Sequence, residues 1–558
     1  MPFLPSTTVG AMQGPRKVYP FVRTPELKGE HRHYPVVVAG AGPIGMAAAR
    51  DLALHGIASI VLDDDDKVSV GSRAICWSKR TLEIFDRLGC AAPMVAKGVT
   101  WNRGKVFFGD DREPVYEFDL LPDRDQRFPA FINLQQYYAE EFLLDVLDRT
   151  PLTEVRWQSR VSAVRPTGDG VLVTVETPDG PYRVTCDYLI AADGCRSSIR
   201  SMLGLEFEGE VFQDHFLIAD IRMKADFPAE RWFWFDPPFA RGQSALLHRQ
   251  PDDVWRIDFQ LGWDVDRERE LDPERIRGRI RRMLGERAEF ELEWTSIYTF
   301  QCRRLERFVH DRVIFAGDAA HLVSPFGARG ANGGIQDVDN LCWKLALVLQ
   351  GIAPQSLLES YDAERVYAAR ENIMNSTRST DFITPKTAVS RAFRDAVLEL
   401  ARDHPATRAF VNSGRLSVPA VLRESPLNAR DCDRLGGRLT PGAVALDGPV
   451  EVNGSRSWFL PALAGNFTLL RFDAPDRNRV IDLDVPVPVR VHDVLPITAA
   501  ERSSQCLIDL QGKLREHAGA HAGTCLLFRP DQHLAGEWRA FDAGRVRAAI
   551  LNCIGRGH

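Results

Sequence analysis

The segment from Tyr34 to Asp63 constrains the fold more than any other. "YPVVVAGAGPIGMAAARDLALHG" reads as a short β-branched strand, a turn with Gly40, Gly42 and Gly45 in G-x-G-x-x-G order, and an Ala/Leu helix ending at Gly56. "IASIVLDDDD" follows as a second strand closed by acids, the first of them Asp63. Strand, helix and strand in this order form a parallel β-α-β unit, the start of a sheet with helices on its faces. The glycines would let the main chain approach an anionic group at the helix N-terminus, and Asp63 stands where a ribose hydroxyl would be held. Tight helix-strand packing uses the same glycines, so the triplet alone leaves the nucleotide open.

A second glycine-rich segment, "GDAAHLVSPFGARGANGGIQD" (317–337), runs into an apolar stretch, "DVDNLCWKLALVLQG". Bare backbone ahead of a helix presents unpaired N–H groups and a partial positive charge. This segment therefore reads as a cradle for a flat or anionic ligand.

At 558 residues the chain holds several domains. Residues 1–34 read as an N-terminal surface arm. Residues 35–204 form the first part of a nucleotide-binding domain, and 205–300 an inserted antiparallel layer with long aromatic strands ("RWFWFDPPF", "VWRIDFQLGWD"). Residues 301–403 return to the first domain and add helices, 404–430 form a Pro/Gly-rich linker, and 431–558 a small β/α domain. Seventy basic against seventy-six acidic residues, mixed along the chain, leave no basic arm for nucleic acid. Ten cysteines without a C-x-x-C exclude a zinc ribbon or dithiol centre, and no metal site is expected. Scattered thiols suit a reducing cytoplasm, and no secretion signal or membrane-length apolar run is seen, so a cytoplasmic protein is expected.

"AADGCRSSIR" (191–200) resembles the D-G-x-x-S-x-x-R motif of the class A flavoprotein monooxygenases, and "FAGDAAHLVSPFGARGANGGIQDVDNLCWKL" resembles their G-D motif and following helix. With the first glycine turn, three motifs stand in that family's order over residues 35–350. The resemblance extends to its aromatic-ring hydroxylases, such as phenol and 3-(3-hydroxyphenyl)propionate hydroxylases. It implies an α/β fold with a Rossmann-like FAD-binding domain of glutathione-reductase type, an inserted antiparallel-sheet substrate domain and a thioredoxin-like C-terminal domain without its dithiol. It also implies FAD, reduced by NADH or NADPH, and hydroxylation of a phenolic small molecule by O2 through a C4a-hydroperoxyflavin. A homodimer is a further expectation from relatives.

By the same resemblance, Gly40, Gly42, Gly45 and Asp63 hold the ADP half of FAD, Arg73 lies near the diphosphate, and Gln136, or Gln135 one register earlier, contacts the chain of the cofactor. Asp193 and Gly194 serve the pyrophosphate, with an internal Asp193–Arg200 ion pair as the plain alternative. Gly317 and Asp318 reach the ribityl chain, and Gly330, Ala331, Asn332 and Gly333 face the flavin pyrimidine edge. Pro325 aims a carbonyl near the substrate, whereas His321 is structural. Candidates for the pocket wall are Trp232, Trp234 and Gln260, and His248 and Tyr298 are candidates to exchange a proton with a phenol, His248 because it titrates nearest neutrality. The plain reading of each is a core residue. "WFWFDP" and Lys79 partly resemble flavin-dependent halogenases, which stands as the alternative activity; a non-catalytic flavin-binding scaffold is the third.

Overall fold

Strand pairing gathers the chain into three large sheets in the computed structural model, which describes residues 17–71, 74–121, 123, 125–225, 227–411, 417–463, 465–476, 481–499 and 506–557. The first sheet places His33–Ala39 at its centre, parallel to Ser59–Leu62 on one side and to Gly180–Ala191 on the other. Val36, Val37 and Val38 have no exposed surface, as expected for a parallel strand covered on both faces. The helix Pro43–Leu54 starts with proline in its first turn, buries Ala47, Ala48 and Ala49, and stops before Gly56, whose φ is +78°. Across the chain, the helix Gly330–Leu349 buries most of its length in the same core.

The second sheet has eight strands in the order His321–Leu322, Glu291–Arg304, Glu208–Arg222, Val254–Gly262, Ser244–Arg249, Arg231–Phe235, Arg103–Phe108, Tyr116–Asp119. The last two come from before residue 205, so the aromatic layer is wider than the 205–300 expected. Gly104 explains one junction, because a Cβ there would stand 2.1 Å from the Phe118 ring. One face of this sheet packs on the amphipathic helix Pro273–Leu284 through Ile276 and Ile280. The other faces the first domain.

The N-terminal arm is less superficial than expected. Residues 1–16 lie outside the described residues, but Glu26 is buried, accepting from the Tyr34 hydroxyl at 2.6 Å and pairing with Arg156. The third sheet, seven strands from Pro449–Val452 to Leu534–Trp538, forms the core of the C-terminal region. It docks on the helix Gly330–Leu349 through Trp343, which meets Leu469, Leu527 and Ile550 in one apolar cluster.

A buried ionic network reinforces that contact. Glu364 accepts from Arg529 Nη1 at 2.5 Å, from Lys344 Nζ at 2.7 Å and from Asn340 Nδ2 at 2.7 Å, while Asp531 accepts from Arg529 Nη2 at 2.6 Å. Arg80 adds a third segment, donating to Gln532 at 2.6 Å, to the Asp531 carbonyl at 3.0 Å and to Asp339 at 2.7 Å.

Candidate functional site

The three glycines of the first turn do different work. A Cβ on Gly40 would lie 2.5 Å from the Ala192 carbonyl oxygen, and one on Gly45 would lie 1.9 Å from that of Gly40. Both are required by packing. A Cβ on Gly42 would meet nothing within 4 Å, and Gly42 is the N-cap of the helix, with no side-chain cap bond. Open space beside an uncapped helix N-terminus fits a pyrophosphate. At the end of the adjacent strand, Asp63 accepts from the backbone N–H of Ala41 at 2.5 Å and of Asp65 at 2.9 Å, and burial pushes its carboxyl up to about 6.

Gln136 accepts from the Ala74 N–H at 3.2 Å and donates to Glu140 at 2.8 Å, so it supports the segment that carries Arg73. Arg73 itself lies outside the described residues. Gln135 points elsewhere, donating to the Pro251 carbonyl at 3.3 Å. Asp193 and Arg200 form no salt bridge with each other. The Asp193 carboxylate accepts from Ile199 N and Ser198 Oγ, leaving Oδ1 buried without a partner, while Arg200 donates to the Ala319 and Cys195 carbonyls. Gly194 has φ +77° with open space beside it.

The 317–333 segment closes against this turn. Gly317 has φ +60°, and a Cβ there would press within 2.9 Å of Ile44. Its N–H donates to Asp337, which also accepts from His321 at 2.7 Å and Arg365 at 2.7 Å. Burial alone would raise the Asp337 carboxyl, but His321 and Arg365 beside it hold it down at about 2. His321 is thus a structural partner. Asp318 is exposed, with Oδ1 3.8 Å from where a Cβ on Gly330 would stand.

The helix Gly330–Leu349 has no side-chain cap, which leaves the first-turn donors of Gly330, Ala331 and Asn332 for a ligand. The Asn332 side chain has a separate task. It accepts from Ser78 N at 2.9 Å and Thr81 Oγ1 at 2.6 Å, and donates to the carbonyls of Cys76 at 2.9 Å and Ala328 at 2.5 Å. Gly333 N closes the first helical bond, to the Arg329 carbonyl at 2.7 Å. Pro325 is exposed, and its carbonyl accepts from Gly327 and Ala328 within its own turn.

Strand register sorts the pocket candidates. Arg231, Phe233 and Phe235 alternate with Trp232 and Trp234, and the pairing sets Trp232 beside Leu247 and Trp234 beside Ala245. Both tryptophans therefore pack on the cluster under the helix Pro273–Leu284, on the face away from the first domain. The inner face carries three rows. Arg231, His248, Arg256 and Asp220 form the first; Phe233, Leu246, Asp258 and Ile218 the second; Gln260, Phe216 and Tyr298 are aligned in the third, near Phe235 and Ser244.

Gln260 accepts from the Ser244 N–H at 3.0 Å, and Tyr298 stands 5.6 Å from the Phe300 ring. Phe216, Phe300 and Phe326 meet within 5 Å of one another, and Phe233, Phe235, Phe326, Phe382 and Ile383 line a narrow cavity. His248 is 2% exposed, with Nε2 3.5 Å from Asp258. Burial, followed by the charge of Arg231, pushes it down to about 4, so it is neutral at pH 7 and not the near-neutral base expected.

A family model described as "FAD binding domain" matches residues 33–376. The chain belongs to this FAD-binding family. Among curated proteins it is similar to a 3-(3-hydroxy-phenyl)propionate/3-hydroxycinnamic acid hydroxylase of Klebsiella pneumoniae (strain 342), 27% identical over 532 residues that cover 92% of this chain and 93% of that protein. It is also similar to the 12-dehydrotetracycline 5-monooxygenase/anhydrotetracycline 6-monooxygenase of Streptomyces rimosus, 31% identical over 66% of this chain and 73% of that one. Among solved structures, the flavin-dependent monooxygenase PieE in complex with FAD and substrate superposes with a TM-score of 0.79 at 22% identity, covering 94% of this chain and 99% of that one. The chain is an FAD-dependent monooxygenase of the aromatic-hydroxylase kind. None of these comparisons favours the halogenase alternative.

Sequence reading missed Arg231, Asp258, the Asp220–Arg256 pair and the rings of Phe216, Phe300 and Phe326. Alternation in "RWFWF" was the available signal: once one face is inward, a cation shares it with two phenylalanines.

Proposed function

We propose that this protein hydroxylates a small phenolic compound, with NADH or NADPH as the electron donor and O2 as the source of the inserted oxygen. The observation that carries the reading is the uncapped N-terminus of the helix Gly330–Leu349, pinned by Asn332 to Cys76–Ser78 and preceded in the chain by Phe326 of the aromatic cluster. FAD held there would take hydride from the nicotinamide and activate O2 for transfer to an electron-rich ring. Gly42, Gly194 and Asp63 would receive its ADP half, and Gln136 and Asp318 its chain.

The first-turn donors of the Gly330 helix and its dipole would stabilise negative charge on a flavin ring held there. Phe216, Phe300 and Phe326 exclude water from the reacting atoms and leave the substrate ring a flat apolar wall. Tyr298, at the border of that wall, is the proposed hydrogen-bond partner of the phenol. His248, neutral and buried, does not carry the proton.

The test is rapid-mixing absorbance of the FAD-loaded protein with NADH or NADPH, with and without a panel of phenols, followed by product analysis. Faster flavin reduction with a phenol present and an oxygenated product support the reading. A protein that cannot be loaded with FAD, or whose product forms only as a halide adduct, overturns it.

A further inference from the structure

Several buried guanidinium groups elsewhere in this protein meet carboxylates. Arg256 donates to Asp220 through Nε and Nη2, each at 2.8 Å, and Arg80, Arg365 and Arg529 have partners at 2.5–2.7 Å. Arg231 differs. It is 3% exposed, and its Nε and Nη1 have no hydrogen-bond partner. Its guanidinium carbon lies 4.9 Å from the Phe233 ring centroid, which places the charge at the end of the phenylalanine row.

The groups around Arg231 do not satisfy it. Across the strand pair, His248 is neutral, with its ring pushed down to about 4 by burial. Arg256 is already held by Asp220. Asp258 acts on Arg231 through space, but its nearest described partner is His248, at 3.5 Å. From the opposing segment comes Cys76, whose thiol burial keeps neutral. Burial also lowers the affinity of Arg231 for its own proton. Unmet donors of a buried cation cost several times what an ordinary hydrogen bond contributes, and an incoming anion would recover that cost.

We propose that Arg231 is a specificity-determining anchor for a carboxylate carried by the aromatic substrate. The inference rests on the hydroxylase reading and deepens it. Rows two residues apart along a strand are separated by about 7 Å. A carboxylate seated on Arg231 therefore leaves a ring, joined through a short alkyl linker, over Phe233 and Leu246, with the phenylalanine wall beyond.

The experiment compares 3-(3-hydroxyphenyl)propionate with 3-(3-hydroxyphenyl)propan-1-ol, which keeps the phenol and linker but lacks the charge. Binding to the FAD-loaded protein is read from the perturbed flavin spectrum, and turnover from product formation. The wild-type protein is expected to bind the acid at least tenfold tighter than the alcohol. Arg231→Met should weaken the acid on the order of 100-fold, leave the alcohol within about threefold, and abolish the preference, while Arg231→Lys keeps part of it.

Equal binding of acid and alcohol by the wild type, or equal losses for both in Arg231→Met, overturns the anchor. The wild-type ratio decides the matter even if a variant folds poorly. Selective binding of the acid with no oxygenated product from either compound leaves the anchor standing and sinks the hydroxylase reading.

Discussion

Replacing Glu364 by Gln removes one charge from a sealed set of four. Glu364 and Asp531 balance Lys344 and Arg529, all four side chains having no exposed surface. Glutamine keeps the shape but leaves two cations against one carboxylate, and breaking a buried pair in this way costs about 3–5 kcal/mol. Part of that cost can be shed. Lys344 is held down to about 8 by burial even beside Glu364, and losing Glu364 lowers it further, whereas Arg529 cannot release its proton.

Between the lowered value in the variant and about 8, the wild-type fold binds one proton more than the variant fold. Its advantage therefore shrinks as pH rises, by up to about 1.4 kcal/mol per pH unit, and levels off above about 8. Urea unfolding of the FAD-loaded protein, followed by tryptophan fluorescence, gives the penalty at pH 6.5, 7.5 and 9. Trp343 is a built-in reporter, its ring 5.8 Å from the Arg529 guanidinium. The double variant Glu364→Gln/Lys344→Met leaves Arg529 and Asp531 as a neutral pair and should recover more than half of the loss. A penalty below about 1 kcal/mol at pH 6.5, no change with pH, or a double variant no better than the single one would refute the reasoning.

The two open questions in the first glycine turn separate by mutation. Gly45→Ala puts a methyl against the Gly40 carbonyl and should lower the melting temperature of the apoprotein by several degrees, whereas Gly42→Ala should fold normally and weaken FAD binding at least tenfold in a fluorescence titration. His248→Asn should leave the pH profile of kcat/KM without a lost limb between pH 5 and 8, because His248 protonates only near 4; a limb that vanishes in the variant would restore it as the proton acceptor. Trp232→Phe and Trp234→Phe, on the outer face, should change KM for a phenol by less than about twofold, and a tenfold change in either would place the pocket on that face instead.

The β-α-β start, the glycine-rich segment ahead of the helix Gly330–Leu349 and the mixed α/β fold class could be read from the sequence because each is written locally, in glycine spacing and apolar period. The inner sheet face could not. Whether Trp232 or Phe233 looks inward depends on pairing with Ser244–Arg249, and a one-residue slip exchanges the two sets. His248 was misjudged for a related reason: its titration is set by burial and by Arg231, which reaches it only through that pairing. The Asn332 brace and the Glu364 set join residues roughly 20 to 250 positions apart, and no local pattern announces them. Pro325 sits in the expected loop, in a turn closed by Gly327 and Ala328.

The contacts of Arg80 carry a consequence for how the protein is made. Its side chain finishes bonding only with Asp531 and Gln532, 451 and 452 residues downstream. At ordinary elongation rates those partners leave the ribosome roughly 20 to 90 seconds after Arg80 itself. Until then Arg80 has only Glu83 and, once residue 339 has emerged, Asp339 as carboxylate partners, and Asn332 has reached Cys76 for only part of that interval. The nascent protein is thus barred from assembling a finished cleft until translation is almost over, which makes a late truncation costly to the cofactor site encoded near its beginning.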